Sequence, residues 1–321
     1  MNNEKKFFEN LSWKILKSGA FDRLVAIGIT GSIGKGEKSI FDNNINDIDF
    51  FVIAEKFDQI KKLKLEKELR EITNTKFTDI LFLRRQKFMH EVKKKHIDQY
   101  LFDLLKSNCL LYALEEYATL LNKLKNKFYK VTYKSAVAVL LTRLWCLTGP
   151  YKVLNNKIVP IEESFTIYQL KKALSAIIDA VLICEKKYNS PRTIDKIENF
   201  KKTIFFKKNS PKILELINFF FSSNRRLYYD ERIYKDVVNY YLYTIDYVIK
   251  ERPRTYLQFP LKKVLIKSIF KKSVRNYIKS IIKRFKTLYL VNDFLGNSDN
   301  INSLKLSYLF KENYEEVMKQ L

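Results

Sequence analysis

Cysteine is nearly missing from this sequence: there are 3 in 321 residues, Cys109, Cys146 and Cys184, widely separated and odd in number. That number and spacing, with apolar neighbours, fits buried thiols better than a disulfide framework or a zinc site. Histidine is scarcer still, with 2, His90 and His96, so a His-rich metal cluster is excluded. Both stand in the polar run Met89 to Asp98 and read as surface residues rather than general bases. Long uncharged apolar runs are also absent: Ser135 to Thr142 stops at Arg143, and Ala173 to Cys184 contains Asp179. Neither reaches the ~18 residues a membrane helix needs, so no integral span is expected. The charged start, Met1 to Glu9, has no apolar signal-peptide core, and a cytoplasmic protein is expected. Acids are in deficit: 60 Lys and Arg against 35 Asp and Glu leave a net charge of +25. Such a balance attracts polyanions, whether nucleic acid, nucleotides or an anionic membrane surface. Richness in Asn, Ile, Tyr and Phe offers a purely compositional source for the same lysines.

Glycine is the most informative scarcity. Of 7 in the chain, five (Gly19, Gly28, Gly31, Gly34 and Gly36) fall in one short window. The backbone there must turn tightly or approach something closely. What is present in quantity is core material: 46% of residues are hydrophobic and 14% aromatic, enough for a folded protein. At roughly 150 residues per domain the length suggests two.

The periodicity predicts a helix over Phe7 to Lys17, ended by Ser18-Gly19, and a buried strand over Arg23 to Thr30 that runs into Gly31-Ser32-Ile33-Gly34-Lys35-Gly36. After the polar stretch Asp42 to Asn46 comes a second strand, Asp47 to Ile53, with acids at its start. Phe57 to Ile72 reads as a surface helix, Lys76 to Leu83 as a third strand, Gln86 to Ser107 as one helix and Cys109 to Leu114 as an edge strand. From about Tyr117 the pattern is helical, as in Leu170, Leu174, Ile177, Val181 and Cys184. Breaks at Gly149-Pro150, Ser190-Pro191, Ser210-Pro211, Pro253 and Pro260 divide it into about five or six helices. The expected fold class is α+β, a small mixed sheet with flanking helices over 1–116 followed by an all-helical domain over 117–321.

In Asp47-Ile48-Asp49 the strand period of two puts both carboxylates on one face while Ile48 turns to the core. Adjacent like charges are unfavourable unless a cation neutralises them, and hard oxygen ligands suit Mg²⁺. Asp79, inside the apolar strand Phe77 to Leu83, would be costly there without a partner. Three such acids could hold two metals, one activating a hydroxyl and one bridging triphosphate oxygens. Gly31-Ser32 would then turn backbone N–H groups and a hydroxyl toward phosphate.

These residues resemble the nucleotidyltransferase superfamily of DNA polymerase beta, the poly(A) and CCA-adding enzymes and small bacterial transferases. Its pattern is a hydrophobic residue, Gly, Gly or Ser, a spacer, then Asp, a hydrophobic residue and Asp or Glu, with a third acid on a later strand. Thr30-Gly31-Ser32, Asp47-Ile48-Asp49-Phe50 and Asp79 stand at those places. The resemblance implies that Asp47 and Asp49 bind metal, that Asp79 completes the site and activates the acceptor hydroxyl, and that Gly31 and Ser32 hold the triphosphate. Lys35 stands where many bacterial members carry Arg and joins the nucleotide contacts. The implied activity is Mg²⁺-dependent transfer of a nucleoside monophosphate from a triphosphate such as ATP to a hydroxyl of RNA or tRNA, a protein or a small molecule. The alternative is an inactive member of the same fold that holds RNA or an anionic membrane.

From Arg252 to Asn292 there is no acid, while twelve Lys and Arg occur. Lys263, Lys267, Lys271, Arg275, Lys279 and Lys283 recur every four residues and form a ridge along one helix, with Leu261, Val264, Phe270 and Ile278 opposite. RNA or tRNA along this ridge, an anionic membrane under its apolar side, and an ordinary solvated lysine face are the three readings. Trp13, Trp145 and the Tyr228-Tyr229 and Tyr240-Tyr241 pairs read as core aromatics. Arg143, in an apolar helix, reads as half of a buried ion pair rather than as a contact to bound triphosphate.

Overall fold

A computed structural model of the chain describes residues 2–39, 47–75, 77–107, 109–155, 157–222, 227–251, 283–291, 309–313 and 315. The fold is α+β, with a small mixed sheet and flanking helices in the first part and a mostly helical second part. The chain divides into two compact units, Met1–Thr132 with Asn189–Lys196, and Tyr133–Tyr188 with Ile197–Leu321.

The first unit opens with α1 (Asn2–Lys17), followed by strand β1 (Ala26–Ile29), a single turn α2 (Gly31–Gly34), β2 (Asp47–Ala54), α3 (Gln59–Thr73) and β3 (Phe77–Arg84). Helix α4 (Arg85–Glu91), α5 (Gln99–Ser107), the strand β4 (Cys109–Ala113) and α6 (Glu115–Asn126) complete it. The strands lie in the order β3-β2-β1-β4. β3 runs parallel to β2, because α3 supplies the crossover that a parallel pair requires, and the other two pairings are antiparallel.

The period-two pattern in β2 decides which face is core. Ile48, Phe50, Val52 and Ala54 join Ile27, Ile29 and Ile80 on one face, covered by Leu11 and Ile15 of α1 and by Leu65 and Leu69 of α3. Each of the Val, Leu, Ile and Phe side chains among them, fully buried, contributes roughly 1.5–3 kcal/mol. Helix α3 is fixed at both ends: Asp58 Oδ1 accepts from the N–H groups of Ile60 (2.9 Å) and Lys61 (3.1 Å), and Asn74 adopts the left-handed conformation that closes it.

One expected helix is interrupted. Gln86 to Ser107 breaks into α4 and α5, with His96–Ile97 between them pairing in parallel with Lys130–Val131. Lys93, Lys94 and Lys95 bring three cations together at the break, Ile97 is buried, and Asp98 Oδ1 starts the new helix by accepting from Leu101 N–H at 2.8 Å. His90 and His96 are exposed, as expected.

The second unit contains α7 (Tyr133–Arg143), the short α8 (Trp145–Thr148), a hairpin of β5 (Tyr151–Leu154) and β6 (Lys157–Pro160), then α9 (Glu163–Cys184), α11 (Ile204–Asn209), α12 (Lys212–Phe221) and α13 (Glu231–Lys250). Between α9 and α11, α10 (Thr193–Lys201) begins in the first unit's segment. The hairpin is an addition to the helical expectation, and Asn155 in the left-handed conformation makes its turn. α9 is buried nearly all round, and the Tyr234 hydroxyl of α13 donates to Leu147 O at 2.8 Å.

Three side chains depart from expectation. Trp13 is 57% exposed, since α1 turns Leu11 and Ile15 inward and leaves the indole on the opposite side. Tyr228 is exposed too, whereas Trp145 and Tyr241 are core. Arg143 ends α7 with its side chain exposed although the residues after it are buried, so no buried acid is required. Lys263 through Lys279 of the basic ridge lie outside the described residues, and Lys283 pairs with Glu312 at 3.1 Å.

Candidate active site

β1 is buried at all four positions and ends against β2, with Ile29 opposite Phe50. The ladder continues one step further, where Thr30 N–H donates to Asp49 O at 2.9 Å. Thr30 then caps α2, its hydroxyl accepting from Gly31 N–H at 2.6 Å. Gly31 has φ +67°, and a methyl group on it would lie 2.7 Å from Asp49 Oδ2. The turn and the acid are therefore in contact only because residue 31 has no side chain. Ser32 follows on α2, and Lys35 ends it, half-buried, with its N–H bonded to Gly31 O at 3.1 Å.

On β2, Asp47 and Asp49 are half-exposed and alternate with buried Ile48 and Phe50. Their face is the one opposite the α1–α3 core. Further along, Phe51 and Ile53 close that face, so it is open only at the start of the strand. The parallel register sets Asp49 beside Asp79 and Asp47 beside Phe77. In-register neighbours on adjacent strands share a face about 4.8 Å apart. Asp79 thus stands next to Asp49, with its side chain 79% exposed and its Oδ1 3.8 Å from Lys62 Nζ.

Lys62 is anchored from α3 by Glu66, a buried carboxylate that also accepts from Ile80 N–H at 2.9 Å. Glu66 thereby satisfies a donor on the edge strand β3. Glu66→Leu leaves both Ile80 N–H and Lys62 without that partner, and an unfolding titration is expected to show a loss of about 1–3 kcal/mol. Glu66→Gln, which keeps an acceptor, is expected to recover part of it.

Tyr100, at the start of α5, also belongs to this corner. Although the residue as a whole is 43% exposed, partial desolvation, and after it the negative charge of Asp49, Asp79, Asp103 and Asp98, pushes its phenol above the usual tyrosine range. It stays protonated at any physiological pH and is an O–H donor beside the acids. No spacing rule points to Tyr100, Lys62 or Glu66, because only the folded topology brings them to the β2–β3 edge.

Among the described residues no three His, Cys, Asp or Glu side chains converge closely enough to hold a metal ion. The register instead offers Asp49 beside Asp79, with Asp47 two residues away on the same face. That donor set fits the small demand of Mg²⁺, an ion that typically takes one or two protein carboxylates and fills the rest of its shell with phosphate and water.

No family model matches the chain, and no curated protein matches it. Among solved structures it is similar to a toxin–antitoxin with AMP-PNP, at 21% identity over 36% of this chain and 82% of that one, with a TM-score of 0.26. A second similarity is to a tri-AMPylated HEPN toxin of Shewanella oneidensis in complex with MNT antitoxin, at 19% identity, 36% and 79% coverage and a TM-score of 0.25. A third is to a mutant MntA–HpeT toxin–antitoxin, at 18% identity, 36% and 82% coverage and a TM-score of 0.26. Among the described residues no helix is long and apolar enough to cross a membrane.

Proposed function

We propose that this corner of the first unit transfers a nucleoside monophosphate from a nucleoside triphosphate to an acceptor hydroxyl and releases pyrophosphate. The observation that carries the reading is the contact between the Gly31 backbone and the Asp49 carboxylate, which would set a phosphate-binding turn directly against an acid. A turn without a side chain admits phosphate oxygens to backbone N–H groups, and Ser32 and Lys35 on the same turn would add a hydroxyl and an ammonium. Asp47 and Asp49 would hold Mg²⁺, which when bound supplies Lewis-acid stabilisation of charge on the phosphate oxygens.

The remaining roles fall to the chain itself. The acceptor oxygen bonds to the α-phosphorus as the α–β bridging P–O bond breaks, and the electron pair leaves with pyrophosphate. Asp79 takes the proton of the acceptor hydroxyl, which its exposure allows it to reach. The neutral Tyr100 hydroxyl donates to a carboxylate or to phosphate and holds it in place.

The test incubates purified protein with each α-phosphate-labelled triphosphate, Mg²⁺ and separate cellular fractions of RNA, protein and metabolites. Label in one fraction, absent with the Asp49→Asn variant, is the expected result. No incorporation from any triphosphate into any fraction, by protein whose folding is verified, would overturn the proposal.

A further inference from the structure

A second feature lies on the other side of the sheet. The carboxylates occupy one face, whereas α1 and α3 cover the opposite one. Between these two helices runs an open cleft of about 660 Å³, lined by Trp13, Lys14, Lys17, Lys61, Lys64 and Glu68. Four lysines and one carboxylate line it, and that carboxylate stands 3.6 Å from Lys14. Lys17 Nζ is 4.5 Å from the centre of the Trp13 ring. Lys61 reaches across from α3 to the end of α1, where a methyl group on Gly19 would lie 3.7 Å from its Nζ. Cations therefore line both walls, and Trp13, 57% exposed, stands among them on the α1 side.

A solvated lysine face accounts for cations on a helix, but it requires neither concavity nor an exposed tryptophan in the wall. Phosphates along the lysines with an unpaired base on an aromatic ring is the chemistry of single-strand recognition. A bilayer is flat and would meet the rims of a concave cleft before its floor. Duplex DNA keeps its bases stacked inside, whereas RNA commonly presents unpaired ones. We propose that the α1–α3 cleft binds single-stranded RNA, with phosphates on Lys14, Lys17, Lys61 and Lys64 and a base stacked on Trp13. The site is independent of the transfer chemistry on the other face and stands or falls separately.

The experiment titrates the full chain against a fluorescein-labelled, uridine-rich single strand and follows anisotropy at several salt concentrations. Lys61→Ala combined with Lys64→Ala is expected to weaken binding about tenfold and to flatten the slope of log K against log salt by about 1.4, at about 0.7 for each phosphate that is no longer neutralised. Lys207→Ala combined with Lys208→Ala, exposed lysines of the second unit, removes the same charge and is expected to change far less. RNA is expected to quench the wild-type indole fluorescence, and Trp13→Phe to abolish that quenching. Equal losses in the two lysine pairs, or quenching that persists in Trp13→Phe, would overturn the proposal. So would a cleft variant that loses binding to phosphatidylserine vesicles while keeping RNA affinity, since that result assigns the cleft to a membrane.

Discussion

Asp49→Asn is expected to lower nucleotidyl transfer by about a thousandfold while the protein melts at its wild-type temperature. The amide has the size of the carboxylate it replaces, and residue 49 is bound into the sheet through its backbone oxygen, which accepts from Thr30 N–H. The ladder, the Asp49–Asp79 register and the fit against Gly31 therefore survive the change. What disappears is one negative charge at the place where the proposal puts a divalent cation. A metal contributes several kcal/mol of charge stabilisation in a phosphoryl transition state, and each 1.36 kcal/mol is a factor of ten. Losing about 4 kcal/mol gives the thousandfold figure. Single-turnover incorporation of label from an α-labelled triphosphate measures it, with RNA anisotropy as the second readout. Because the cleft between α1 and α3 lies on the far face, RNA affinity should hold steady as transfer collapses. An Asn variant that transfers at the wild-type rate would remove the β2 carboxylate from the chemistry altogether.

The parts of the site that were legible in the sequence are those set by local pattern. Apolar alternation in Asp47 to Ile53 fixes which way Asp47 and Asp49 face, and the glycine cluster marks the turn. The placing of Asp79 follows from the same period once β3 pairs in parallel with β2, and α3 between them makes that pairing the natural one. Lys62, Glu66 and Tyr100 were not legible, because their roles come from a helix crossing an edge strand and from α5 reaching the carboxylate face. Periodicity also misjudged Trp13. A helix packed on one side buries Leu11 and Ile15 whatever stands between them, and the hydrophobic character of an indole does not reveal which side of α1 it occupies. The hairpin of β5 and β6 had a signal in Asn155-Asn156 between two short apolar runs, which was obscured by the helical pattern on either side.

The second large effect is expected at the turn itself, and here two glycines separate strain from collision. Gly31 and Gly36 share the left-handed conformation, with φ of +67° and +69°. Replacing either by alanine forces a Cβ into a backbone conformation that costs about 1–2 kcal/mol. Their surroundings differ. A methyl group at residue 36 meets nothing within 4 Å, while at residue 31 it lies 2.7 Å from Asp49 Oδ2. Gly36→Ala should therefore lose about 1–2 kcal/mol in a urea titration and keep most of its transfer activity. Gly31→Ala should lose at least as much stability, because its methyl group also collides with the Asp49 carboxylate. Its transfer activity should fall by at least about a hundredfold, since displacing a reacting group by an ångström is enough for that. The comparison discounts backbone strain, which both variants carry, and reads only the position of the carboxylate. Equal activity in the two variants would mean that Asp49 works, if at all, from a place where the turn at Gly31 does not reach it.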